Sequence, residues 1–232
     1  VAAGLALGAP EREVSFAVPT GDFGNVLAAW VAGKMGLPIA RLAIGANAND
    51  ILTRFLASND MRVQGVAPSL SPSMDIQVSS NFERLLFELL GRDGAATAAM
   101  MAAFRASGRM PVADATWRLA TAQFVGHRLD DAATLAEIRR LHAECGYLAD
   151  PHTAIGVAAA RAWAVKGVPM VAMATAHPAK FPDAMQQATG LRPPLPPRLA
   201  DLYDREEMFT RLPADLAAIE AQVRATALRN VA

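Results

Sequence analysis

Residues 13–45 read EVSFAVPTGDFGNVLAAWVAGKMGLPIARLAIG, and this stretch decides the fold. Residues 13–18 mix β-branched and aromatic side chains between the charged Glu11 and Arg12 and a Pro-Thr-Gly turn, the pattern of a short buried strand. Residues 25–35 then carry Val26, Ala29, Trp30 and the small Gly33 at helical spacing, and Gly36 with Pro38 beyond marks a helix end. A second strand is expected at residues 42–45. Two strands joined across a helix form a βαβ unit with parallel strands, so the fold class is α/β, a parallel sheet flanked by helices.

The same reading extends downstream. Asn47 or Asn49 is placed to cap a helix over residues 50–57, and residues 58–73, punctuated by Pro68 and Pro72, form a loop. Ser80-Asn81-Phe82-Glu83 opens an amphipathic helix to about Leu90, Gly91 and Gly94 separate it from a second through Phe104, and further helices are expected at residues 116–124 and 131–145. The whole segment 79–147 thus reads as helical. Asp150-Pro151-His152-Thr153 leads into a helix over residues 154–165, closed by Gly167 and Pro169 before a buried strand at residues 170–174. RPPLPPR at residues 192–198 is a stiff connection, and residues 214–228 form a last helix within a terminal extension spanning 198–230.

With 53% hydrophobic and 19% charged residues over 232 positions, the chain can build a sizeable core. The 22 Lys plus Arg balance 22 Asp plus Glu, which argues against nucleic acid or an anionic membrane as a partner held by bulk charge. One cysteine, Cys145, excludes an internal disulfide framework and multi-cysteine zinc sites and fits a reducing, cytoplasmic setting. Abundant alanine with only 6% aromatic residues favours helices packed closely through small side chains. No apolar run reaches the roughly 18–20 residues of a membrane span. The opening VAAGLALGAP lacks the basic flank of a signal peptide and reads as the tail of a helix belonging to something longer.

Three constellations carry candidate chemistry. Pro19-Thr20-Gly21-Asp22-Phe23-Gly24-Asn25 joins a strand to a helix; its glycines allow a tight turn, and the first N–H groups of the helix are free to cradle a phosphate, although an ordinary βα turn has the same outline. It matches neither the GxxxxGK[ST] nor the GxGxxG pattern, so ATP and NAD gain no support. Thr175 and His177 follow a buried strand at the edge where α/β sheets bind ligands. Asp150 and His152 suit proton transfer, but the same residues suit a helix cap with Pro at the first turn. His142, Cys145 and His152 lack zinc-ligand spacing, and no metal is expected.

In order along the chain, Val18-Pro19-Thr20-Gly21-Asp22-Phe23-Gly24-Asn25, Lys34-Met35-Gly36-Leu37-Pro38-Ile39, Asn47-Ala48-Asn49-Asp50, Ser71-Pro72-Ser73-Met74-Asp75-Ile76, Ser79-Ser80-Asn81-Phe82-Glu83-Arg84, Asp150-Pro151-His152-Thr153-Ala154 and Thr175-Ala176-His177-Pro178-Ala179-Lys180-Phe181 resemble the threonine synthases. These are pyridoxal-phosphate lyases of amino-acid biosynthesis, of fold type II, shared with the tryptophan synthase β-subunit. The resemblance implies that Gly21, Asp22, Phe23, Gly24 and Asn25 hold the cofactor phosphate and that Thr175 bonds the pyridine nitrogen. It implies conversion of O-phospho-L-homoserine and water to L-threonine and phosphate. Ser79, Ser80, Asn81 and Arg84 are candidates for the substrate phosphate, since hydroxyls, a helix start and a guanidinium suit an oxyanion.

Two departures qualify the resemblance. Family members are about twice as long, and this chain resembles their carboxyl-terminal half. The Schiff-base lysine is expected in the amino-terminal half, because Lys34, Lys166 and Lys180, the three lysines present, do not match its motif. The chain alone is therefore expected to be inactive and to need that half as its partner. The phosphate loop also exchanges an acid and an amide relative to the usual Gly-Asn-Phe-Gly-Asp, so the Asp22 carboxylate is expected to turn away from the phosphate. A second reading stays open at this point: a non-catalytic phosphate-binding or interaction module derived from such an enzyme.

Overall fold

The computed structural model describes residues 1–227, which divide into two compact units, residues 1–193 and the residues from 194 onward. The first unit runs α1 (Ala2–Ala6), β1 (Val14–Pro19), α2 (Gly24–Lys34), β2 (Ile39–Ala46), α3 (Ile51–Ser58), α4 (Phe82–Leu89), α5 (Gly94–Ser107), α6 (Asp114–Thr121), β3 (Phe124–Arg128), α7 (Asp131–Cys145), α8 (Pro151–Trp163), β4 (Met170–Ala172) and α9 (Pro182–Thr189). The second unit holds two short 3-10 turns and α10 (Leu216–Ala227), with no buried residue in any of the three. Residues 228–230 of the expected terminal extension, including the last position of the expected 214–228 helix, lie outside the described residues. The unit boundary falls within the proline-rich run.

Four parallel strands lie in the order β3-β2-β1-β4. β1 is buried along its whole length, as a strand covered on both faces must be. The two faces differ in side-chain size. Val14, Phe16 and Val18 of β1, Leu42 and Ile44 of β2 and Phe124 of β3 share one core with α2, α3 and α4. On the opposite face Ala17 and Ala43 meet Ala159 and Ala160 of α8. Small residues there let the α8 backbone approach the sheet. A Cβ on Gly45 would stand 2.9 Å from Ile155 Cγ2, and one on Gly156 would stand 2.9 Å from Pro19 Cδ, so both glycines are required by close approach.

The segment 79–147 is not wholly helical, because β3 lies inside it and pairs parallel with β2 from Leu42↔Phe124 to Ala46↔Arg128. Five residues at a sheet edge, ending in His127 and Arg128, give no alternation to detect. A Cβ on Gly126 would meet Thr53 Cγ2 at 2.9 Å, which explains a glycine in mid-strand under α3. The expected capping by Asn47 or Asn49 is also corrected: Asp50 precedes α3, and no side chain caps it. Asn47 Nδ2 instead donates to Ser69 Oγ (2.8 Å), Ser71 Oγ (3.0 Å) and Asp75 Oδ1 (2.8 Å), while Asn49 Nδ2 donates to the Ala67 carbonyl (2.8 Å). These amides clasp the loop that follows α3 and bring residues 72–76 against the end of β1. Among the described residues no helix is long and apolar enough to cross a membrane.

Candidate functional site

β1 and β4 are neighbours in the sheet, and Met173 N–H donates to the Ala17 carbonyl just past their last paired residues. From β1 the chain moves through α2 to β2 on one side, whereas β4 lies on the other. The strand order therefore reverses between β1 and β4, and the crevice at the carboxyl ends of such strands is where open α/β sheets take ligands. A cavity of about 460 Å³ occupies that place, lined by Gly21, Asp22 and Asn25 from the β1–α2 loop and by Thr175, Ala176 and Lys180 beyond β4. Asn25 and Thr175 also line an adjoining cavity of about 590 Å³ bounded by Phe16, Val18 and Ala29.

The loop is held from behind. Thr20 N–H donates to the Gly45 carbonyl (2.8 Å), which fixes the exit from β1. Phe23 sits at φ 68°, a left-handed conformation that a non-glycine residue adopts only under constraint, and its ring supplies the constraint. That ring is 1% exposed, edge-on to Phe82 at 5.5 Å between centroids and tilted against Phe124 at 5.6 Å. Ser79 Oγ donates to the Gly21 carbonyl (2.9 Å), and Asn81 donates to the Asp22 carbonyl through its backbone N–H (2.9 Å) and Nδ2 (3.0 Å). With these carbonyls tied back, the N–H groups of Phe23, Asn25 and Val26 have no acceptor among the described residues. A Cβ on Gly21 would lie 2.8 Å from the Ser73 carbonyl, so glycine lets the 72–74 turn close over the loop.

This geometry reassigns several residues. Phe23 offers a ligand only its backbone. Ser79 and Asn81 donate to the Gly21 and Asp22 carbonyls and so hold the loop, and Ser80 lines the 460 Å³ cavity. Arg84 borders a different cavity, between α2, α4 and α5, together with Trp30 and Met101. The Asp22 carboxylate, expected to turn away from a phosphate, accepts the Gly24 N–H through Oδ1 at 3.0 Å. The free donors and the dipole of the α2 N-terminus attract it, as they would any anion.

Thr175, exposed at the end of the 173–175 segment, donates its backbone N–H to Thr153 Oγ1 at 3.3 Å, and its own hydroxyl has no partner among the described residues. Thr153 Oγ1 in turn donates to Asp150 Oδ2, so the start of α8 positions Thr175. The cap reading of Asp150 is met, and the same carboxylate also holds His152. Its Oδ1 caps α8 by accepting the His152 N–H at 2.9 Å, and it also accepts from His152 Nδ1 at 2.9 Å. Because a carboxylate only accepts, Nδ1 carries the hydrogen. His152 is 4% exposed and lines the 460 Å³ cavity, and its Nε2 is buried without a partner. His177 Nδ1 accepts from Ala179 N–H and turns the chain. Lys34 ends α2 with its ammonium 5.0 Å from the Trp30 ring centroid, Lys166 is exposed between α8 and β4, and only Lys180 reaches the cavity. The sequence places Lys180 within the motif of residues 175–181 but gives it no role, because only folding brings it to the cavity.

Comparison with known proteins places this geometry in context. Residues 153–223 match the family model described as threonine synthase, C-terminal. A threonine synthase of Pseudomonas aeruginosa is 50% identical over 95% of this chain and 48% of its own length, and one of Methylobacillus glycogenes is 39% identical over 90% and 45%. Among solved structures, a PLP-bound threonine synthase from Brucella melitensis superposes with a TM-score of 0.90 at 50% identity, covering 97% of this chain and 48% of that one. The yeast threonine synthase gives 0.82 at 33% identity over 96% and 49%. The chain spans about half the length of the curated relatives it matches.

Proposed function

The chain belongs to the threonine synthase family, and from that premise we propose that it forms the phosphate-holding and pyridine-contacting side of a pyridoxal-phosphate site. The complete enzyme converts O-phospho-L-homoserine and water to L-threonine and phosphate. One observation carries the reading: the loop after β1 and the threonine after β4 flank a single cavity where the strand order reverses.

The residues fit the cofactor. The unpaired N–H groups of Phe23, Asn25 and Val26 point from a helix N-terminus and suit a phosphate dianion. The unpartnered Thr175 hydroxyl suits a ring nitrogen and, being neutral, does not compel its protonation. When bound, the cofactor supplies an electron sink for the carbanions that phosphate elimination and hydration require. This chain's part is to bind and orient: Ser79 and Asn81 hold the phosphate loop, and Asp150 with Thr153 holds Thr175. The amino-terminal half supplies the lysine that moves protons, and the cysteine-poor composition supports a cytoplasmic setting.

The test compares threonine and phosphate release by the polypeptide joined to its amino-terminal half with release by residues 1–232 alone. The joined polypeptide is expected to form the two products in equal amounts, and residues 1–232 to form neither. Threonine made by residues 1–232 alone contradicts the assignment of the lysine, and an inactive joined polypeptide contradicts the assigned reaction.

A further inference from the structure

We propose that Lys180 and His152 form a second oxyanion subsite in the 460 Å³ cavity, opposite the phosphate loop, which holds the phosphate of the substrate. The proposal rests on the cofactor site described above. Two phosphate groups must then share one cavity, each carrying about −1.5 to −2 charges near neutral pH. The loop from Gly21 to Asn25 contains no cationic side chain, and its helix N-terminus offers only about half a positive charge. Asp22 adds a negative charge beside it. Arg84, the cation that the sequence offered for this task, borders another cavity.

Lys180 is the one Lys or Arg among the residues lining the cavity, and it makes no ion pair among the described residues. Its ammonium lies 5.8 Å from the Phe181 ring centroid, the same ring packs against His152 at 4.9 Å, and both residues line the cavity. His152 is nine-tenths buried, with Nδ1 committed to Asp150 and Nε2 unpartnered. A buried polar atom without a partner costs free energy that a ligand removes. Lys180 provides the permanent charge, and Nε2 is the buried polar atom beside it that has no partner among the described residues.

The test uses the cofactor-loaded, full-length enzyme with inorganic phosphate as calorimetric probe. The KM for O-phospho-L-homoserine and the Kd of the cofactor are measured beside it. Lys180→Met is expected to raise the phosphate Kd and the substrate KM by about tenfold or more, with kcat and the cofactor Kd within about twofold. Lys180→Arg restores both to within about threefold, and His152→Gln raises the phosphate Kd by about fivefold. A cofactor Kd weakened about tenfold with the phosphate Kd unchanged overturns the subsite, because the pair then serves the cofactor. Unchanged constants for Lys180→Met overturn it as well. A wild-type enzyme that binds no cofactor removes the reading beneath, and is told apart because it precedes any variant.

Discussion

Phe23 and Asp22 occupy adjacent positions in one loop and do opposite things to it. The Phe23 ring holds the backbone in a left-handed turn from within the core, and a sequence reading that treats the whole loop as ligand-facing misses this because it depends on Phe82 and Phe124, far along the chain. Asp22 occupies the Gly24 N–H and places a charge beside the proposed phosphate position. Asp22→Asn keeps an acceptor for Gly24 and removes that repulsion, so cofactor affinity is expected to rise by several-fold, about 1 kcal/mol; a fall measured by fluorescence titration contradicts this. Away from the site, burial holds the His127 imidazole below its ordinary 6.5 against the pull of Glu137. Burial raises Glu137, yet hydrogen bonds and charge from Arg140 and Arg161 outweigh it and leave the carboxyl below its ordinary 4.5. Both groups take up protons more readily when unfolded, so stability is lost as pH falls, first below about 6.5 and again below about 4.5. Urea midpoints between pH 7 and 5.5 are expected to drop in the wild type and to flatten in His127→Asn.

At the scale of elements, the first turns of α8 connect core packing to the site. Gly156 lets the helix meet Pro19 at the entrance of the phosphate loop, and Asp150 and Thr153, one turn earlier, hold Thr175. Gly156→Ala is expected to cost about 1–3 kcal/mol by overpacking and to weaken cofactor binding, because Pro19 must shift. Gly45→Ala, crowded by Ile155, is expected to cost a similar amount in a urea melt. Equal cofactor affinity in both variants and the wild type separates the loop from α8 and contradicts this account. β1, α2 and β2 were legible because each obeys one clear period between glycine or proline boundaries. β3 and α9 were not: one is a five-residue edge strand and the other an eight-residue helix opened by Pro182. Asp150-Pro151-His152-Thr153 was legible as a cap, but its contact with Thr175 arises only once α8 lies along the sheet.

For the molecule as a whole, the sequence carried the loop and Thr175 as separate pieces, and the order β3-β2-β1-β4 brings them to one cavity. Ser79, Asn81 and Arg84 were grouped by proximity along the chain, whereas folding sends the first two behind the loop and the third to another cavity. The central claim is that this chain contributes binding and orientation, while the lysine that bonds the cofactor lies in the amino-terminal half. Borohydride reduction of the cofactor-loaded, full-length polypeptide, followed by peptide mass mapping, tests it most directly. The account predicts one adduct per polypeptide on a lysine of the amino-terminal half and none on Lys34, Lys166 or Lys180. An adduct on Lys180, the lysine that lines the cavity, would contradict both the division of labour and the second oxyanion subsite.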